Sequence, residues 1–90
     1  MAITFDPAKR DATLEERGLD FADSESVFGS VLTENRDERF DYGEERWITV
    51  GFLSGRMIVV VWTWRGEDRH VISMRKANER EKIRFGGKLD

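Results

Sequence analysis

The chain has 90 residues, with no cysteine, one histidine and one proline. Without thiols it forms no disulfide and offers no thiolate metal site. A lone imidazole excludes a multi-histidine site within one chain and leaves open only ligation of a hard cation by carboxylates. No apolar run approaches the roughly 20 residues of a membrane helix. The opening residues MAITFDPAKR lack the apolar core of a targeting segment, so a cytoplasmic protein with no membrane partner is expected. No Pro/Gly/Ser-rich linker or internal repeat divides the chain, and one domain spanning residues 1–90 is expected.

The apolar residues gather in the second half. Residues 46–53 and 56–64 are rich in Trp, Ile, Val and Phe and are separated by Ser54-Gly55, a break containing the glycine that a hairpin turn uses. The polar group Arg65-Gly66-Glu67-Asp68 then interrupts the pattern before residues 69–74 resume it, so three antiparallel strands in a meander are expected. Residues 57–64 are apolar on both alternating sets, which puts this strand at the sheet centre with both faces covered.

Helices must supply that cover. Asp6-Pro7 opens one, because the Asp side chain accepts from free amides and Pro gives up a donor that had no partner; it runs to about Arg17 and stops at Gly18. Asp20 repeats the cap ahead of Phe21, Ala22, Val27 and Phe28, a short one-sided helical pattern before Gly29. Residues 2–5 and 30–34 are short strand candidates, and residues 35–43 a charged loop. Residues 76–85 read as an amphipathic helix with Ala77, Ile83 and Phe85 on its apolar side, ended by Gly86-Gly87. The expected fold class is α+β: N-terminal helices packed on an antiparallel β-sheet meander, with a C-terminal helix.

Charge is distributed unevenly. Residues 1–45 hold 5 Lys/Arg against 13 Asp/Glu, net −8; residues 46–90 hold 10 against 5, net +5, which together give the chain's −3. A surface bearing Arg65, Arg69, Arg75, Lys76, Arg80, Lys82 and Arg84 is suited to phosphates. The same cations, interleaved with Glu79 and Glu81, equally describe a solvated face, and the acidic balance argues against nonspecific nucleic-acid binding.

Five groups of residues carry a further signal: Phe5-Asp6-Pro7-Ala8-Lys9; Arg17-Gly18-Leu19-Asp20-Phe21 with Val27-Phe28; Gly43-Glu44-Glu45-Arg46 with Gly51; Thr63-x-Arg65-Gly66; and Ile72-Ser73-x-Arg75-Lys76-Ala77 followed by Glu81. No one of them is specific, but their order and spacing along most of the chain are. The sequence resembles the BrnT family, small ribonuclease toxins of type II toxin-antitoxin pairs with a RelE-like fold.

The resemblance implies a metal-independent endoribonuclease with no cofactor, in which a ribose 2′-hydroxyl attacks the adjacent phosphate and leaves a 2′,3′-cyclic end. Charge builds on the phosphoryl oxygens in such a transition state, and guanidinium groups stabilise it better than flexible ammonium groups. Arg65 and Arg75 are the leading catalytic candidates. A hairpin loop of Gly66 to Asp68 would place both on one alternating set with Thr63, Val71 and Ser73, and a change of register by one residue would separate them. Without the family match, each arginine reads equally well as a solvated strand-end charge or a partner of Glu44 or Glu45.

Departures from the family pattern bear on proton transfer. Glu16-Arg17-Gly18 stands where members commonly carry Lys-His-Gly, so Arg17 can stabilise charge but cannot exchange protons near neutral pH. Trp64 replaces a Glu and Thr13 an Asn. His70 stands where an arginine is frequent, which makes it the one side chain that normally titrates in the working range and a candidate for proton transfer; a half-buried strand histidine with a hydrogen-bond partner is the commoner role. Lys9 and Lys76 are RNA-binding candidates. Trp47, Trp62 and Trp64 fit core packing better than base stacking.

The family also implies a BrnA-like antitoxin partner that neutralises by direct binding, with DNA reached only through that complex. The acidic first helix and residues 34–45 are suited to a basic antitoxin segment. The function classes are a ribonuclease toxin, a catalytically lapsed relative that still binds an antitoxin, and a small protein-interaction module.

Overall fold

The computed structural model describes residues 2–86. Its elements follow the chain as β1 (Ile3–Phe5), α1 (Pro7–Arg17), a 3-10 turn (Phe21–Asp23), α2 (Ser24–Phe28), β2 (Thr33–Arg36), β3 (Trp47–Leu53), β4 (Arg56–Arg65), β5 (Asp68–Lys76) and α3 (Glu79–Gly86). Five strands form one sheet in the order β1-β5-β4-β3-β2. The expected meander is there as β3, β4 and β5, but the sheet is mixed, because β1 pairs parallel with β5, Ile3 opposite Arg69 and Phe5 opposite Val71. A three-residue strand whose partner lies more than sixty positions away leaves no local sign of its direction.

Strand β4 occupies the centre, as its two-sided apolar pattern requires. Ile58, Val60 and Trp62 point to one face, where they join Leu19, Phe21, Val27, Val71 and Met74. Val59 and Met57 point to the other, with Val50 and Ala77. Trp62 is 1 % exposed, stacks on Trp47 and donates from Nε1 to Thr49 Oγ1 at 2.8 Å; the Thr49 hydroxyl donates onward to Glu34 at 2.5 Å. A buried polar pair is thereby satisfied within the first face.

The helices cover the sheet differently from expectation. α1 is capped as read, with Asp6 Oδ1 accepting from the Ala8 amide at 2.9 Å and Gly18 at φ 68° ending it, yet it buries no residue. Cover on the first face comes from the segment after it. Asp20 accepts from the Ala22 amide and holds Arg10 through two bonds of 3.0 and 2.8 Å, which pins the turn carrying Phe21 beneath α1. α2 then lies so close to β3 that a Cβ at Gly51 would collide with the Val27 carbonyl.

α3 begins three residues later than the pattern suggested, and β5 runs on to Lys76. Asn78 is the reason: its Oδ1 accepts from the Glu81 amide at 2.8 Å while a Glu81 carboxylate oxygen accepts from the Asn78 amide at 2.9 Å, a reciprocal capping box. Phe85 packs on the second face, but Ile83, expected beside it, is 77 % exposed. Gly87, half of the predicted stop, lies outside the described residues. β2 also starts later than expected, at Thr33, and ends at Arg36.

Candidate functional site

Two local devices decide where the arginines point. The β4–β5 turn consists of Gly66 and Glu67 alone, with Arg65 opposite Asp68 and Gly66 at φ 60°, the conformation that the first central residue of a tight hairpin turn requires. This two-residue loop would by itself send Arg75 to the face opposite Arg65. A bulge corrects it: Val61 faces Ser73 while Trp62 faces Val71, so Ile72 is an extra residue in β5 and every side chain beyond it changes face. Arg65, Thr63, Ser73 and Arg75 therefore share the second face, as expected, although the loop is one residue shorter than the Gly66 to Asp68 on which that expectation stood; His70 joins them, whereas Val71 lies on the first face with Trp62.

Sharing a face does not make them one site. Arg75 stands opposite Val59, and Arg65 is six residues farther along β4, roughly 20 Å at strand rise. Arg65 is 52 % exposed and donates to Glu44 at 3.0 Å, the structural role that its position allowed from the start. Arg65 first, then Arg46, hold the Glu44 carboxyl below its ordinary value. His70 lies near this end, opposite Thr63 and beside β1, its Nδ1 2.9 Å from Thr4 Oγ1.

At the other end, Arg75 lines a cleft of about 230 Å³ with Thr33, Asn35, Arg39, Glu81 and Arg84, over an apolar floor that includes Val50 and Val59. Glu81 orients it through bonds of 2.6 and 2.9 Å to the two terminal nitrogens, the planar two-point match of guanidinium and carboxylate. Arg75 holds the Glu81 carboxyl down at about 2, and burial opposes the shift. Arg39 is fixed in the same manner by Asp37, at 2.8 Å twice, and that carboxyl is also held down at about 2 by its arginine. Two of the three arginines of the cleft, Arg39 and Arg75, thus have their planes set before any ligand arrives, an arrangement suited to a phosphate.

The remaining predicted residues lie apart from this cleft. Arg17, at the end of α1, donates to the Met74 carbonyl at 3.0 Å, on a length of β5 that β1 does not reach. Lys9 is exposed on α1, and Lys76 is exposed at the end of β5. Arg39 and Asn35 were not singled out by sequence; Arg84 was named only among the cations of the basic surface, and Glu81 belonged to the family pattern without a role. Among the described residues no group of three or more His, Asp or Glu side chains gathers as a metal site would need. No helix among them is long and apolar enough to cross a membrane.

The family model described as ribonuclease toxin, BrnT, of type II toxin-antitoxin system matches residues 5–81, which take in strands β2 to β5, Arg75 and its partner Glu81. The chain belongs to the BrnT family. Comparison with curated proteins gives no match. As a BrnT-family member the protein is a toxin of the ribonuclease class, and a type II system pairs it with an antitoxin protein.

Proposed function

We propose that this protein is a metal-independent endoribonuclease of the cytoplasm, RelE-like in fold, that inhibits translation by cutting RNA until a BrnA-like antitoxin binds it. DNA contact belongs to the antitoxin complex. The observation that carries the proposal is Arg75, preoriented by Glu81 in a cleft shared with Arg39 and Arg84.

In this reaction the substrate's own 2′-hydroxyl is the nucleophile, so the protein's task is to hold the phosphate in line and stabilise the growing charge on its oxygens. A phosphate entering the cleft offers Arg75 the same two-oxygen edge that Glu81 now supplies. Glu81 then moves from orienting Arg75 to standing beside the attacked ribose. Its carboxyl, released from the arginine, returns toward the ordinary 4.5 and accepts a proton better than it does when paired. Arg65 serves the other end of the same face as a contact to a more distant phosphate; His70, also at that end, lies too far from Arg75 to exchange a proton with a ribose held there. Arg17 holds β5 in place through Met74.

A second reading, binding of an antitoxin without cleavage, draws on Arg17 at the family's histidine position and on the carboxylates that neutralise both Arg65 and Arg75. One experiment separates the two: purified protein incubated with a defined RNA in EDTA, with end groups analysed and Arg75→Ala alongside. Cyclic-phosphate ends that fall by about 10²–10³ in rate in the variant, the usual loss on removing one donor to a developing oxyanion, support the ribonuclease. Intact RNA with folded wild-type protein that still captures an antitoxin supports the second reading.

A further inference from the structure

Most arginines of the molecule are matched by carboxylates: Arg10 with Asp20, Arg36 with Glu45, Arg39 with Asp37, Arg46 and Arg65 with Glu44, Arg75 with Glu81. A different arrangement holds at the β3–β4 turn. There Phe52, Gly55, Arg56, Met57, Lys76 and Lys82 enclose an open hollow of about 520 Å³, and none of these residues is acidic. Among the described residues neither Arg56 nor Lys76 has an ion-pair partner, and Lys82 has only Glu79, itself 86 % exposed. Phe52 and Met57, a cross-strand pair, give the hollow an apolar wall. Three like charges collected around an apolar surface repel one another, so the arrangement is favoured by a ligand that is both anionic and flat.

We propose that this hollow binds the nucleotide next to the scissile one, with its phosphate on Arg56, Lys76 and Lys82 and its base against Phe52. The assignment rests on the ribonuclease reading and supplies the direction in which the RNA leaves the cleft. Lys82 directly follows Glu81, and Met57 shares the second face with Val59, the strand partner of Arg75, two residues away; Arg56 and Lys76 alternate to the first face and line the hollow from the end of the sheet, where β4 begins and β5 stops. A single strand with one phosphate at Arg75 thus reaches the hollow without crossing the sheet. Single-strand sites commonly combine this kind of cationic groove with an aromatic platform.

The test is fluorescence anisotropy with a short 2′-O-methyl RNA, which lacks the attacking hydroxyl, titrated at several salt concentrations. The triple variant Arg56→Gln/Lys76→Gln/Lys82→Gln should bind tens of times more weakly. Its salt slope should be smaller by about 0.7, since the three cations hold one phosphate and each lost phosphate contact removes about 0.7 for a single strand. Should the triple variant fail to fold, Arg56→Gln and Lys76→Gln separately should each weaken binding several-fold and lower the slope by less than about 0.7, because they share one phosphate. Arg36→Gln, on the far edge of the sheet, controls for loss of charge alone and should leave the slope within the error of wild type. Wild-type affinity and slope in the triple variant overturn the assignment.

Cleavage of the unmodified RNA by wild-type protein distinguishes this failure from that of the underlying reading. Binding through the hollow without cleavage removes the ribonuclease and keeps the hollow as an RNA site. Cleavage by wild type with unaltered binding by the triple variant removes the hollow and keeps the ribonuclease. Absence of RNA binding by wild type overturns the hollow outright.

Discussion

The two faces of the sheet are built from the same strands and do different work. On the first, Trp62, Phe21, Val27 and Met74 are almost wholly buried, and Arg69 lies against the rings of Phe28 and Trp62 at 4.5 and 5.1 Å, with Trp64 also nearby. On the second, a smaller apolar cluster around Val50, Val59 and Ala77 is capped by one short helix, and the charged clefts open beside it. Burial of large apolar surface stabilises the first face. The second keeps exposed guanidinium groups, with Arg39, Arg65 and Arg75 each fixed by a carboxylate, at some loss of buried apolar area. Large buried apolar surface and exposed charged clefts are thereby placed on opposite sides of one strand, β4, by its alternation.

That division is broken most severely by Trp62→Ala, which removes the largest fully buried side chain together with the donor to Thr49. Loss of about 3–5 kcal/mol is expected for such a truncation, measured by urea unfolding; a loss below about 1 kcal/mol would show that the first face is not the stabilising one. Gly51→Ala acts on the same face from the other side, forcing α2 away from β3, and should lower stability by about 1–3 kcal/mol while leaving the Arg75 cleft intact in RNA-binding assays.

Acid titration reaches the second face. The Glu81 and Asp37 carboxyls sit at about 2 in the folded protein, below their ordinary values. Their contribution is therefore fully present above about pH 4.5 and is lost as the pH falls toward 2. Arg75 and Arg39 are 41 % and 60 % exposed, which screens each pair to on the order of 1 kcal/mol. Glu81→Gln should flatten the Glu81 part of the acid limb of a stability–pH profile; an unchanged limb would mean that this pair does not contribute. The smallest effect is expected at the far end. Arg65→Ala, losing a half-exposed pair with Glu44, should change stability by less than about 1 kcal/mol. It should also slow RNA cleavage far less than Arg75→Ala. Equal loss of rate in the two variants would merge the two ends into one site.

Much of this architecture is legible in the residues themselves. The β3 and β4 strands, the Ser54-Gly55 turn, the Asp6-Pro7 start and the Gly18 stop all follow from short-range rules, because each depends on contacts within a few residues. The start of α3 was also written locally, in Asn78 and Glu81, but the apolar pattern beginning at Ala77 obscured it; Ala77 is buried because it extends the end of β5 beside Met57, not because it belongs to the helix. The tryptophans divide: Trp62 is core as expected, whereas Trp64 is 42 % exposed at its rim, because strand alternation sets the face and only neighbouring elements set the depth.

Local chemistry by itself determined which segments extend, where they turn, and that β4 must be covered on both sides, since backbone propensity and side-chain alternation act between near neighbours. The family pattern marked Arg65 and Arg75 by order and spacing. Only the tertiary structure decided that they stand at opposite ends of one face. It took the bulge at Ile72 to turn Arg75 toward the second face, the order of strands to bring Arg39 beside it from a loop thirty-six positions earlier, and α3 to set Glu81 against it. Each of these depends on pairing between distant segments, where a one-residue shift reverses the direction of a side chain, and no local rule constrains that shift.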